Sequence, residues 1–244
     1  MKNPWMPDDR SPDRLVEDEQ RRLQALRLQM VEAHPFWGYL LLQVRLVPSP
    51  DLPTFAATDC VRHIWYNPRL TRHLDHAQLG FVLAHEVGHQ LLASGFRKNG
   101  RDHQLWNCAT DYAINRLVDG IGQPGNPKRP MYSVPDGTYP ILGKIKILLD
   151  RRFDHMVAEA IYETLAAEQL PEPRSVTVCL DVSRSDGTVG SVRVPSLEDH
   201  RGGIDVHLPE NPSTQANEQE LYDRIRAAIA VWEKSNGAGD APGN

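Results

Sequence analysis

The chain has 244 residues, 40% hydrophobic and 24% charged, which is a globular composition rather than a disordered, collagenous or disulfide-scaffold one. Thirty-two acidic against 27 basic side chains leave a formal charge of -5, so no basic surplus marks nucleic acid as the partner. A mean hydropathy of -0.48, with no apolar run of about 18 residues, excludes a membrane-spanning helix.

Residues Met1 to Arg10 are polar and lead into no apolar segment, so no secretory signal is expected. From Leu15 to Val31 the apolar positions Leu15, Leu23, Leu26, Met30 and Val31 alternate with Arg, Glu and Gln. That spacing predicts an amphipathic helix, stopped by His34-Pro35. Phe36 to Val47 reads as a strand closed by Pro48, Pro50 and Pro53, and Cys60 to Tyr66 reads as a second strand ended by Asn67-Pro68.

Asp75, with Gln78 three residues on, forms a capping box for a helix whose apolar positions include Leu79, Val82, Leu83 and Val87. Gly95 is its expected stop. The basic residues Arg97, Lys98 and Arg101 form a solvated turn, after which Asp102 caps a second helix running to Val118 and terminated at Gly120. Residues 120 to 140 hold nine Gly or Pro residues and read as a long irregular loop. A helix over Met156–Leu170 follows, then short strands at Val176–Val182, Ser191–Val194 and Ile204–Leu208, with Ser185-Asp186-Gly187 as a turn. A last helix carries Leu221, Ile225, Ile229 and Trp232 on one stripe. Residues 1–234 are expected to form a single domain, and 235–244 a flexible tail.

Three cysteines, Cys60, Cys108 and Cys179, lie far apart with no CxxC pair. They read as reduced thiols in a cytoplasmic protein, and Cys108 as a small buried thiol rather than a reactive one.

The chemistry concentrates in His85-Glu86-Val87-Gly88-His89, an HExxH inside the predicted helix. Four residues advance a helix about 6 Å and return to the same face, so both imidazoles can grip one ion. Zinc suits imidazole nitrogen, and Glu86 beside it can act as general acid/base. The plain alternative is a pair of solvated histidines. Gly88 within a helix costs about 1 kcal/mol relative to alanine. That cost is explained where no side chain fits between this turn and a neighbouring element.

A catalytic zinc takes a third protein ligand and leaves a position for water. The metzincin continuation is missing, because QLLASGF follows His89. The candidates are His103, Asn107, Asp111 and Asp119. If the two helices pack antiparallel, His89 and His85 lie roughly 9 and 15 Å from the connecting turn, and Asn107 and Asp111 roughly 7.5 and 13.5 Å. Only Asp111 of that level pair offers an anionic oxygen, which favours it, with His103 and Asn107 as alternatives. Asn107 and Asn115, spaced by fours with Asp111, would orient ligands. His63, His73, His76, His155, His200 and His207 lack ligand spacing.

FVLAHEVGHQLL followed by RDHQLWNCATDYAINRLV, with IWYNPRL before them and MVAEAIYETL and IDVHLPE after, resembles a metallopeptidase domain family of bacterial and phage proteins. That domain often precedes a von Willebrand factor A-like domain. The resemblance is strongest over residues 60 to 120. It implies His85, His89 and Asp111 as zinc ligands and Glu86 as the catalytic acid/base.

The resulting expectation is an α+β, zincin-like fold: a small sheet, the HExxH helix and a second ligand-bearing helix. The reaction would be zinc-dependent hydrolysis of a peptide or protein substrate, with the Cys60–Tyr66 strand presenting its edge to an extended peptide. The rival expectation is a catalytically silent, zinc-stabilised module that binds a protein partner.

Overall fold

The computed structural model describes residues 11–139, 142–168, 177–183, 189–195 and 215–234, and within them the chain is a mixture of helices and small sheets. Helix α1 (Pro12–Ala33) begins where the Ser11 hydroxyl accepts the Arg14 N–H, with Pro12 in the first turn. Of its expected stripe, Leu15, Leu23, Leu26 and Met30 are buried and Val31 is half-buried.

The strand expected over Phe36–Val47 is a helix for most of its length. Helix α2 (Pro35–Leu42) takes Phe36, Trp37, Leu40 and Leu41 into the core, and only Arg45–Pro48 forms strand β1. A continuous apolar run carries no period, so burial on all sides lets it coil as readily as extend. Pro35 sets the first-turn dihedral, and Gly38 lets α2 approach α1. A Cβ at Gly38 would fall 2.4 Å from the Val31 Cα.

Strands β2 (Ala56–Thr58) and β3 (His63–Tyr66) complete a three-stranded sheet in the order β1-β3-β2. β3 runs parallel to β1 and antiparallel to β2, so both its edges are paired. It therefore has no free edge to offer a peptide, contrary to the expectation for Cys60–Tyr66. Cys60 is not in that strand at all: it sits in the β2–β3 turn with φ 58°. Asp59 holds the turn together, its Oδ1 accepting the N–H groups of Val61, Arg62 and His63 and its Oδ2 facing the His63 ring at 2.7 Å. Burial pushes the Asp59 carboxyl up, but these hydrogen bonds outweigh it and hold the group below the ordinary carboxylate range.

After the short α3 (Pro68–Thr71) come α4 (His76–Leu91), α5 (Ser94–Arg97) and α6 (His103–Asp119). α4 does not run on to Gly95. It stops at Leu91, and Ala93 takes the left-handed turn with φ 49°. Nor are the basic residues of the α5–α6 turn merely solvated. Arg97 pairs with Glu159 at 2.6 Å, and Arg101 lies over the rings of Trp106 and Tyr162.

The stretch read as one irregular loop contains a hairpin, β4 (Gly122–Gln123) with β5 (Asn126–Pro130), and the first strand of a second, β6 (Gly137–Tyr139) with β7 (Gly143–Ile145). A 3-10 turn at Arg151–Phe153 leads to α7 (Ala158–Ala167); Phe153 from the turn and Ile161 and Leu165 from α7 pack together against α6. Strands β8 (Thr177–Ser183) and β9 (Val189–Pro195) pair antiparallel. Helix α8 (Gln215–Lys234) buries Leu221 and Ala228, with Ile225 and Trp232 against the core, while Ile229 faces outward. The turn read at 185–187, the strand at 204–208, residues 169–170 of the helix after Met156, and the tail at 235–244 lie outside the described residues. Among the described residues no helix is long and apolar enough to cross a membrane.

Candidate metal centre

α4 starts at a complete capping box: the Asp75 carboxylate accepts the Gln78 N–H at 2.8 Å, and the Gln78 side chain accepts the Asp75 N–H at 3.0 Å. From Leu79 to Gln90 every residue is buried. α6 starts where Asp102 accepts the Leu105 N–H at 2.9 Å. The two helices touch in opposite chain sense, His85 meeting Asn115 and His89 meeting Asp111, so they pack antiparallel as the level argument assumed, but one turn out of the register it gave, which set Asp111 beside His85 and Asn107 beside His89. They can close together because Gly88 has no side chain. A Cβ there would fall 2.4 Å from Ile114 Cγ2.

Between the helices the ligand atoms of His85, His89 and Asp111 all lie within 4.8 Å of one another. The two Nε2 atoms are 3.0 Å apart, and Asp111 Oδ1 is 3.7 Å from His85 Nε2 and 3.4 Å from His89 Nε2. A tetrahedral ion with ligand bonds of about 2.0–2.1 Å sets its ligands about 3.3 Å apart, so these separations fit one shared cation. Neither imidazole is solvated: His85, Glu86, His89 and Asp111 are each 0% exposed.

The surroundings turn the lone pairs inward. Asn115 Nδ2 donates to the Leu148 carbonyl at 3.1 Å, which fixes the amide so that its Oδ1 faces His85 Nδ1 at 2.7 Å. His85 Nδ1 therefore carries the proton, and its Nε2 points a lone pair at the group. On His89, Nδ1 lies 3.1 Å from Ser94 Oγ. The Asp111 carboxylate is buried and accepts no hydrogen bond among the described residues, although both imidazoles stand against it. Two ring lone pairs and a buried carboxylate converging on one point form a donor set that a positive charge completes.

Of the other candidates, His103 sits half-buried at the first position of α6, more than two turns before Asp111. Asn107 is buried one turn before Asp111, and its Oδ1 accepts no hydrogen bond among the described residues. Cys108 is pushed up to about 12 by burial and by the charges of Asp111 and Asp102, so it stays a thiol at neutral pH and is a poor competitor for the ion. His63 pairs with Asp59, His155 is exposed, and His200 and His207 lie outside the described residues. Ser94 had no signal in the sequence. Its place under His89 depends on the left-handed turn at Ala93, which residue type does not announce.

A family model described as "Putative metallopeptidase domain" matches residues 17–244 of the chain. Among curated proteins, an uncharacterised protein of Thermotoga maritima is 33% identical over 112 residues, spanning 43% of this chain and 28% of that relative. No solved structure matches the chain.

Proposed function

The chain belongs to this metallopeptidase-domain family, and from that premise we propose that it is a zinc-dependent peptidase with a zincin-like arrangement of small sheet, HExxH helix and ligand-bearing second helix. The observation that carries the reading is the convergence of His85, His89 and Asp111 in a buried group, with Glu86 on the same turn of α4. Two imidazoles and one carboxylate are a donor set that suits zinc and leaves a fourth position. Zinc held there supplies Lewis-acid polarisation of a carbonyl and lowers the pKa of water to about 7.

The protein's own groups do the rest. Asn115 holds the His85 ring with its Nε2 toward the ligand group. Glu86, a carboxylate adjacent to a ligand but outside the three, takes the proton from the attacking water and returns it to the departing amide nitrogen. The antiparallel packing of α4 on α6 fixes these groups before substrate arrives, which is what makes them effective in the transition state. The substrate is a peptide or protein.

The complete burial of His85, Glu86, His89 and Asp111 also supports a second reading, a silent zinc-stabilised module that binds a protein partner. Bound zinc and peptide cleavage, measured on wild type, Glu86→Gln and Asp111→Ala, separate the two. The peptidase reading expects Glu86→Gln to keep zinc and lose cleavage by about 100-fold or more, the usual contribution of a general base. Asp111→Ala should lose zinc affinity. Equal cleavage by wild type and Glu86→Gln removes the mechanism, and zinc binding without cleavage of a peptide library by wild type favours the module.

A further inference from the structure

We propose that Ser94 is a positioning residue that fixes the tautomer and orientation of His89; the inference deepens the site reading above and rests on His89 being a metal ligand. Three observations fix the role of its hydroxyl. Ser94 Oγ lies 3.1 Å from the His89 main-chain oxygen, 3.1 Å from His89 Nδ1 and 3.5 Å from Cys60 Sγ. An uninterrupted helix would direct the Ala93 N–H at the His89 oxygen, but here that N–H turns to Gln90 O instead. A helix-terminal carbonyl needs a donor and can only accept, so it takes the hydroxyl proton.

With that single proton committed, Ser94 Oγ faces Nδ1 with a lone pair. His89 Nδ1 must then carry hydrogen, and its Nε2 is left as the lone pair directed at His85 Nε2 and Asp111. The Cys60 thiol can donate to the second lone pair of the same oxygen.

The hydroxyl is also held in place from three sides. Ala93 turns the chain back beneath His89 through its left-handed backbone. Trp106 Nε1 on α6 donates to the Ser94 carbonyl at 2.9 Å. The β2–β3 turn brings up Cys60, whose N–H is bound by Thr58 Oγ1 at 3.1 Å. Ser94 is itself fully buried, so water does not substitute for its oxygen. The centre therefore has a matched pair of orienting groups, an amide oxygen on His85 Nδ1 and a hydroxyl oxygen on His89 Nδ1.

The test uses the full chain carrying Ser94→Ala and, separately, Ser94→Cys, which keeps the side-chain size but offers a weak acceptor. Ring-nitrogen chemical shifts of His89 in metal-stripped protein at pH 8 read the tautomer, and chelator competition reads zinc affinity. The expectation is an Nδ1–H tautomer in wild type, a shift toward Nε2–H in both variants, and a 10- to 100-fold loss of zinc affinity in both. Unchanged nitrogen shifts in Ser94→Ala overturn the proposal. So does wild-type zinc affinity in Ser94→Cys, because packing alone would then explain the site. Failure of wild type to bind zinc overturns the metal-centre reading instead, and the tautomer measurement still decides what Ser94 does to the ring.

Discussion

Gly88 illustrates how a locally unfavourable residue can be required by packing. In an isolated helix, alanine at this position would be favoured by about 1 kcal/mol. Here the added methyl would stand 2.4 Å from Ile114 Cγ2. A β-branched side chain on a helix has little χ1 freedom with which to retreat, and Ile114 is fully buried. Overpacking of this kind costs typically 1–3 kcal/mol, which exceeds the propensity gain. Gly88→Ala should therefore lower stability in urea unfolding by about 1–2 kcal/mol, and the double variant Gly88→Ala/Ile114→Ala should show strong positive coupling between the two sites. The same close approach sets the distance between α4 and α6, so Gly88→Ala should also weaken metal binding without touching a ligand.

Helix α2 depends on a partner in α1. The Arg27 guanidinium is buried, and one nitrogen donates to the carbonyls of Leu41 at 2.8 Å, Leu42 at 3.1 Å and Val44 at 3.0 Å. The Leu41 and Leu42 carbonyls belong to the last turn of α2, where a helix runs short of donors, and Val44 lies in the link to β1; α2 lacks any basic residue of its own in that turn. Burial lowers the Arg27 pKa, but an arginine retains its charge. Arg27→Met keeps the apolar stem and removes the donors, and should cost on the order of 2–3 kcal/mol in urea unfolding. Arg27→Lys should recover only part of that, because the shorter lysine stem leaves its ammonium short of the place the guanidinium nitrogen occupies among the three carbonyls. None of this was readable in the sequence, where Arg27 is one of several arginines on α1 and Phe36–Val47 looked extended.

α4 and α6 were legible because each signals itself twice, once through a cap and once through a helical period. Their lengths then placed Asp111 at the depth of His85, one turn from His89, the histidine it stands nearer to. The orienting role of Asn115 followed from the same spacing by fours, and its oxygen does face His85. What escaped the sequence was set by contacts between distant segments. The left-handed Ala93, the pairing of Arg97 with Glu159 and the central position of β3 each depend on a neighbour far along the chain or on a backbone state that no glycine marks.

Taken as a whole, the molecule gathers several separate segments at the proposed centre. α4 and α6 meet there directly, the β2–β3 turn reaches it through Cys60 and Ser94, and the Leu148 segment reaches it through Asn115. A cation that binds only this folded arrangement stabilises all of it by mass action. Zinc at about a thousand times its dissociation constant would add about 4 kcal/mol, or roughly 8–16 °C in Tm for a chain of this size. Without the ion, a buried carboxylate facing two ring nitrogens is a liability rather than a support, since desolvation is not repaid by a hydrogen bond. Asp111→Ala should therefore reverse in sign with conditions. In chelator it should melt no lower than wild type, and in zinc it should show little of the upward shift that wild type shows. Thermal unfolding of both proteins, with and without zinc, measures the crossing. A variant that melts below wild type by the same margin in both conditions would show that Asp111 supports packing and not an ion.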